Sequence, residues 1–334
     1  MKFFYIMAFR KSIVSPQEAV LNNELTLLWD CSMNKLVYPA FGLLGLIWGT
    51  NFIFMKWAAV LISPIQIVLL RVLFGFLPIL LLAISRRALS WSDLRQSHHF
   101  IVMALLATAL YYLAFAKGTA LLPSGIAGML SGAIPLFTFL TAFLFLRQEP
   151  ITRMTITGLV IGFFGVMLIA RPWNASADGI SLSGVLFMIG GSLSLGCSFV
   201  YARKFLVDKN LSPLALSTYQ IGFALLLLLV TTSFDGMERI TSEPVALTGL
   251  VLGLGVMGTG VAYVLYYFLV QQLGALKAAG VTYVPPVVAL AIGTILVNEP
   301  IHASDLLALA CIIVGVYVLQ KGKTAAPPVR EIKP

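Results

Sequence analysis

The chain repeats its own motifs at a spacing of about 150 residues. Two tetrapeptides, one dipeptide and two single residues of the first copy return in the second. They are Gln148-Glu149-Pro150-Ile151 with Asn298-Glu299-Pro300-Ile301, Gly49-Thr50-Asn51-Phe52 with Gly196-Cys197-Ser198-Phe199, Ser63-Pro64 with Ser212-Pro213, Pro135 with Pro285, and Gly165 with Gly315. A fixed internal period indicates two copies of one structural unit. Each copy is long enough to hold several helices.

The composition places both copies in a membrane. Hydrophobic residues make up 59% of the 334 residues and charged residues only 10%, against about 25% charged in soluble domains. Ten apolar runs are long enough to cross a bilayer: 36–57, 64–84, 98–117, 123–146, 154–171, 181–202, 213–233, 245–271, 277–297 and 304–320. Their regular spacing favours helices over the short alternating strands of a barrel. We predict an all-α integral membrane protein with ten transmembrane helices.

The basic residues predict the orientation of these helices. If the N-terminus is cytoplasmic, most of the 22 cations fall in cytoplasmic segments: Lys2, Arg10, Lys11, Lys35, Arg86, Arg87, Arg95, Arg147, Arg153, Arg203, Lys204, Lys209, Lys277, Lys321, Lys323, Arg330 and Lys333. The opposite loops hold Arg171 and Arg239. This is the positive-inside pattern, so the net charge of +9 indicates topology rather than nucleic-acid binding. We predict a multi-pass protein of the bacterial inner membrane with both termini cytoplasmic.

Five crossings per copy make the second copy run upside down relative to the first. The loop charges agree, because Arg147 and Arg153 flank the first Glu-Pro-Ile turn whereas Val297 and Ala303 flank the second. The predicted architecture is therefore two inverted five-helix repeats.

Residues 1–35 form a leader of mixed polarity with no secretory signal pattern. They would suit an interfacial helix, or translation could begin at Met33, directly before the first apolar run. The cysteines Cys31, Cys197 and Cys311 have no metal-ligand or CxxC spacing and are predicted to be free thiols. We predict no metal site and no cofactor.

Both copies resemble EamA-type modules of the drug/metabolite transporter superfamily. The first carries Trp48-Gly49-Thr50-Asn51 followed by Lys56, and then Leu70-Arg71 with Phe74; the second carries Gly258-Thr259-Gly260-Val261-Ala262-Tyr263, then Pro285 and Glu299. The resemblance implies repeats at 36–172 and 180–320 and a cytoplasmic tail at 321–334. It also implies a central cavity lined by the first four helices of each repeat, but no particular substrate. The second copy departs from the pattern, with Leu195 and Gln220 where the first has Trp48 and Arg71.

Arg71 is the leading candidate for a substrate contact. A cation inside a span costs roughly 2.5–3.5 kcal/mol on insertion scales, so its side chain should face protein or water. Arg71 would bind a carboxylate or phosphate with both of its terminal nitrogens, or it would be a structural cation bonded to loop carbonyls.

The internal repeat indicates further candidate residues for the same solute site. Trp48 and Asn51 lie one turn apart, either on a cavity wall or in helix packing. We expect one central site surrounded by matched residues of both halves: Trp48, Asn51, Arg71, Ser198, Tyr201 and Gln220. Tyr111 and Tyr263 each carry a phenol hydroxyl, which needs a polar partner when it is buried. The two residues would line the pathway or pack between helices.

Prolines and small residues suggest how the helices bend and pack. Pro135 and Pro285 fall inside the fourth and ninth spans, as hinges of two gates or as static kinks. The Gly158-x-x-x-Gly162 motif predicts close helix packing.

Glu149 and Glu299 are expected to cap the helix that follows each of them. Since no Asp or Glu lies well inside any span, exchange or facilitated diffusion is favoured over carboxylate-based proton coupling.

These observations predict a secondary transporter that exports or exchanges small organic metabolites or drugs, amino-acid-like or amphipathic, by alternating access. The alternative is a membrane enzyme acting on lipid head groups. That alternative needs a polar cluster at one membrane face, and the three histidines are split between opposite sides. We therefore predict no enzymatic activity. The expected partners are a small-molecule solute and the lipid bilayer, with a homodimer left open.

Overall fold

The computed structural model describes residues 16–146, 152–171, 180–206, 209, 211–273 and 278–324. These residues hold no β-strand and form ten helical spans, which confirms the predicted all-α membrane fold. The ten, numbered span 1 to span 10, are Leu36–Ala59, Pro64–Ser85, Trp91–Leu121, Ser124–Leu146, Arg153–Ala170, Leu182–Phe205, Pro213–Thr231, Pro244–Tyr266, Gly280–Val297 and Ala303–Gly322. Span 1 is the end of a longer helix, Pro16–Ala59, and the helix of span 10 continues to Thr324. The alternative translation start at Met33 stays a prediction.

The repeated Ser-Pro motif starts the second helix of each repeat. Ser212 caps span 7, where its side chain accepts a hydrogen bond from the backbone N–H of Ala215 at 3.1 Å. At the start of span 2, the backbone N–H of Ser63 donates to the side chain of Gln66 at 2.9 Å. The proline that follows each serine occupies the first turn of its helix. Backbone N–H groups there have no acceptor within the helix, so proline loses no helical hydrogen bond.

Spans 3 and 8 share a helix irregularity at corresponding positions of the two repeats. Span 3 runs as a 3₁₀ turn Trp91–Gln96, an α-helix Ser97–Met103, a π-helical stretch Ala104–Ala109 and an α-helix Leu110–Leu121. Span 8 begins with the helix Pro244–Thr248 and continues as a π-helical stretch Gly249–Val261, and it ends within the α-helix Ala262–Leu273, which extends beyond the span. A π-turn widens the helix locally and is frequent at functional sites.

The prolines of spans 4 and 9 begin helices rather than kink them. Span 4 consists of Ser124–Ser131 and Ile134–Leu146, and span 9 consists of a 3₁₀ turn Ala279–Tyr283 followed by Val284–Val297. Pro135 and Pro285 are each the second residue of the later helix, a position that tolerates a missing N–H. In place of the expected mid-helix kink, span 4 has a turn at Gly132–Ala133 between two helices, and span 9 changes from 3₁₀ to α-helix at Val284.

The two repeats interlock, since most spans pack chiefly against spans of the other repeat. Span 5 crosses span 10, span 2 lies along span 8, and span 1 lies along span 9. At the crossing of spans 5 and 10, a Cβ on Gly315 would lie 2.6 Å from the Cα of Gly162 and 2.7 Å from the carbonyl oxygen of Gly158. The glycine motif therefore serves close helix packing, as predicted.

Candidate functional site

Arg71 lies in the seam between spans 2, 3 and 8, with only 6% of its surface exposed. Its Nε donates a hydrogen bond to Thr259 Oγ1 at 3.1 Å, and its guanidinium carbon lies 3.9 Å from the centroid of the Tyr112 ring. Among the described residues, no carboxylate comes within 4.0 Å of the guanidinium. The hydroxyl and the aromatic face offset part of the cost of burying the cation, but neither neutralises its charge.

Small residues bring Thr259 to Arg71. Thr259 belongs to the π-helical stretch of span 8, and it faces Gly75, one turn after Arg71 on span 2. A Cβ on Gly75 would lie 2.5 Å from the Cβ of Thr259, so only glycine permits this approach of the two spans. The separation of Arg71 and Thr259 by 188 positions in the sequence makes this an inter-repeat contact.

Asn51 reaches the same seam from span 1. Its side chain is 5% exposed, and its Oδ1 lies against Gly258, the neighbour of Thr259. Within the described structure, this oxygen has no hydrogen-bond donor. A buried acceptor without a donor is costly, so the position suits a ligand that brings its own N–H or O–H group.

Tyr111, Trp48 and Tyr263, from spans 3, 1 and 8, divide between the seam and the apolar clusters. Tyr111 lies beside the seam, with its ring centroid 5.1 Å from that of Tyr112. Trp48 instead packs in a separate apolar cluster of spans 1, 8 and 9, with its ring centroid 5.9 Å from that of Tyr266. Tyr263 is half-buried against the main hydrophobic core. The structure thus places Arg71 on Tyr112, beside Tyr111, and places Asn51 against Gly258, next to Thr259, whereas Trp48 lies in a separate cluster.

The second-half candidates form other clusters. Gln220 is buried and donates from Nε2 to Thr108 Oγ1 at 2.9 Å. Ser198 is fully buried, and its hydroxyl donates to the carbonyl of Leu195 in its own helix at 2.7 Å. The Tyr201 hydroxyl lies 2.7 Å from Nδ1 of His99, which is near the start of span 3 and precedes Tyr111 by several helical turns.

Two of these hydrogen bonds are related by the internal repeat. Gln220 corresponds to Arg71, and Thr108 occupies in span 3 the place that Thr259 occupies in span 8. In each case a second-span side chain donates to a threonine of the opposite repeat's π-helical stretch. The sequence pattern predicted Arg71 and Gln220 as site residues, but it did not predict either threonine. Thr259 lies in the Gly-Thr-Gly motif, and Thr108 lies about 150 residues before it. The internal repeat therefore pairs the two threonines and could have indicated both.

Two charged side chains cap helices of the span 3–span 4 connection. Lys56 Nζ donates to the carbonyls of Leu122 and Ala120 at 2.7 and 3.3 Å, at the C-terminal end of span 3. The Glu299 carboxylate accepts from the Ser124 N–H at 2.6 Å, the Ser124 hydroxyl at 2.9 Å and the Gly125 N–H at 2.9 Å. Each charge complements the helix dipole that it meets.

The expected role of Glu299 is therefore corrected, because it caps the fourth span of the other repeat and not the helix that follows it. The following helix is capped by Asp305, whose Oδ2 accepts from the His302 N–H at 2.9 Å. The other oxygen of Asp305 pairs with Arg171 at 2.7 Å, and both side chains are buried. Glu149 lies outside the described residues.

An apolar groove of about 660 Å³ lies between spans 1 and 8. Leu46, Phe54, Trp57, Leu252 and Met257 line it, together with the less apolar Thr50 and Thr248. None of the predicted site residues lines this groove. At the depth of a bilayer core such a surface faces acyl chains, so the polar seam around Arg71 remains the better candidate site.

A buried polar seam between two inverted halves is the arrangement found in membrane transporters, where the solute site lies at the repeat interface. The chain belongs to the EamA-like transporter family, whose model matches residues 37–171 and again residues 182–320. It is a multi-pass membrane transporter built from two such repeats.

Several curated proteins are similar over most of the chain. An uncharacterized transporter of Archaeoglobus fulgidus is 24% identical over 272 residues, which is 81% of this chain and 94% of the relative. The uncharacterized transporter YoaV of Bacillus subtilis is 26% identical over 82% of this chain and 92% of its own length. The uncharacterized inner membrane transporter YedA of Escherichia coli is 27% identical over 64% of this chain and 67% of its own length.

A solved crystal structure shares the fold. It superimposes with a TM-score of 0.55 at 17% sequence identity, covering 85% of this chain and 96% of the other.

Proposed function

We propose that the protein exports or exchanges small organic solutes that carry a single anionic group, by alternating access between its two repeats. The main support is the guanidinium of Arg71. Arginine has five N–H donors, and one of them is used by Thr259. Within the described residues, the other four have no hydrogen-bond acceptor. Such a buried, uncompensated fork suits a carboxylate or phosphate, which it binds with two parallel hydrogen bonds.

The surroundings of Arg71 support an organic solute rather than an inorganic anion. Tyr111 and Tyr112 present aromatic faces, and the free Oδ1 of Asn51 offers an acceptor for an amine or hydroxyl group. The corresponding position of the other repeat holds neutral Gln220, so the site has one cation rather than two. An amino-acid-like or amphipathic body with one acidic group would satisfy all of these groups.

For the transport cycle, we propose that substrate binding shifts a balance between two states of similar energy. Each repeat would close one end of the pathway. The irregular turns before Pro135 and Pro285 would be the hinges, and the route would pass Trp48, Ser198, Tyr201 and Tyr263. Exchange or facilitated diffusion is favoured, since the buried carboxylate of Asp305 is already paired with Arg171. The repeat boundaries would be 36–172 and 180–320, with residues 321–334 as a tail.

Counterflow into proteoliposomes tests the proposed function. Vesicles loaded with unlabelled solute should take up labelled carboxylates, and a carboxylate should exchange at least tenfold better than its own carboxamide, which has the same shape but no charge. Equal rates for the two members of every such pair would contradict the anion preference. Empty vesicles, treated in the same way, give the background.

The proposed orientation, with both termini in the bacterial cytoplasm, predicts opposite labelling of two loops. Ser92 and Ser242 are both exposed, at the starts of spans 3 and 8 respectively. In a protein whose native cysteines are replaced, Ser242→Cys should react with a membrane-impermeant maleimide in intact cells. Ser92→Cys should react only after the membrane is opened. Reaction of both cysteines in intact cells would contradict the topology.

A further inference from the structure

We propose that Thr259 is the positioning residue that orients the Arg71 guanidinium for its solute and links that orientation to the other repeat. This inference rests on the proposed function of Arg71. It concerns a residue of the second repeat that the charge pattern does not single out.

The hydrogen bonds of Thr259 fix the orientation of its hydroxyl group. A threonine hydroxyl has a single hydrogen, and the Thr259 hydroxyl donates it to the carbonyl of Leu254, five residues earlier, at 3.0 Å. Its oxygen lone pairs are then left to accept, and Nε of Arg71 is the donor at 3.1 Å. The hydroxyl therefore acts on Arg71 only as an acceptor.

Binding through Nε leaves the two terminal nitrogens of the guanidinium for the solute. Tyr112 covers one face of the guanidinium, with the ring centroid 3.9 Å from its central carbon. Held at one nitrogen and one face, the planar group keeps a single orientation. A carboxylate then meets two preset donors instead of a mobile side chain, which lowers the entropy lost on binding.

The bond also crosses the boundary between the repeats. Arg71 is carried by span 2 and Thr259 by the π-helical stretch of span 8. A movement of one repeat against the other therefore changes the hydrogen bond that Thr259 makes to the guanidinium. Affinity for the anionic group would change with the state of the transporter.

The symmetry-related pair provides a matched control. Gln220 donates to Thr108 at 2.9 Å in the same way, but Gln220 is neutral. Replacing Thr108 removes an equally buried inter-repeat hydrogen bond without affecting the cation. Any general effect of loosening the seam should appear in both variants, and a change in charge preference should appear only at Thr259.

The test is the concentration dependence of counterflow for a carboxylate and its carboxamide. Thr259→Val should raise the half-saturating concentration of the carboxylate about tenfold and leave that of the carboxamide within about twofold. Thr259→Ser, which keeps the hydroxyl, should stay near the parent. Thr108→Val should leave the ratio of the two solutes unchanged. In an Arg71→Gln background, Thr259→Val should have no further effect on this ratio.

The outcomes separate the two proposals. If Arg71→Gln removes the carboxylate preference but Thr259→Val retains it, the positioning role is wrong and the proposed function stands. If Arg71→Gln itself keeps the preference, the proposed function is wrong. Thr259→Ala serves as a second variant, since it adds no volume. Misfolding of both the Val and Ala variants, with a well-folded Arg71→Gln protein, would show that Thr259 supports the helix seam and would contradict its positioning role.

Discussion

Arg71→Gln should weaken transport of carboxylate-bearing solutes by about 10- to 100-fold and leave neutral solutes within about twofold. Hydrogen bonds to a charged group contribute about 1.5–3 kcal/mol, and each 1.4 kcal/mol corresponds to a factor of ten. Glutamine retains a polar side chain of intermediate length but loses the charge and the fork. The measurement is kcat/KM for counterflow of a carboxylate and its carboxamide, after the amount of folded protein has been equalised.

Two further variants separate the charge of Arg71 from its shape. Arg71→Lys keeps a positive charge but presents a point charge without the planar fork, so it should recover only part of the carboxylate transport. Lys117→Gln removes a cation from span 3 that faces the Phe187 ring at 5.3 Å, and it should leave the solute preference intact. An Arg71→Gln protein that handles both solutes like the parent would mean that Arg71 is structural and that the site lies elsewhere.

Gly315→Ala should destabilise the protein strongly at the crossing of spans 5 and 10. The added Cβ would lie 2.6 Å from the Cα of Gly162 and 2.7 Å from the carbonyl oxygen of Gly158. Both obstacles are backbone atoms, so the two helices would have to separate. Overpacking of this kind costs about 1–3 kcal/mol. A thermal melt in detergent, followed by size-exclusion chromatography, should show a lower Tm and loss of the monodisperse peak.

The matched control is Gly42→Ala on span 1, where an added Cβ would meet nothing within 4 Å. Alanine is a better helix former than glycine by about 1 kcal/mol, so this variant should melt at or slightly above the parent temperature. The same substitution thus has opposite effects at the two positions. An unchanged Tm for Gly315→Ala would show that spans 5 and 10 are not held at this crossing.

The helix content and the repeat were predictable from the sequence because the membrane leaves few choices. A chain without water partners must satisfy its backbone within helices, so span number and approximate bounds follow from the lengths of apolar runs. The glycine motif around Gly158 likewise predicted a close crossing. The irregular turns before Pro135 and Pro285 were less predictable, since a proline inside an apolar run fits a kink as well as a helix start.

The sequence by itself determined ten spans in two inverted repeats and singled out Arg71 as a cation that lipid could not accommodate. Only the tertiary structure decided which groups meet it. Thr259 lies 188 positions away, and Glu299 caps the fourth span of the opposite repeat instead of its own next helix. The physical reason is that the repeats interlock, so a side chain's partners come from a helix brought close by small residues and π-turns. A local pattern sets the period and polarity of one helix, but it does not set the distance to another.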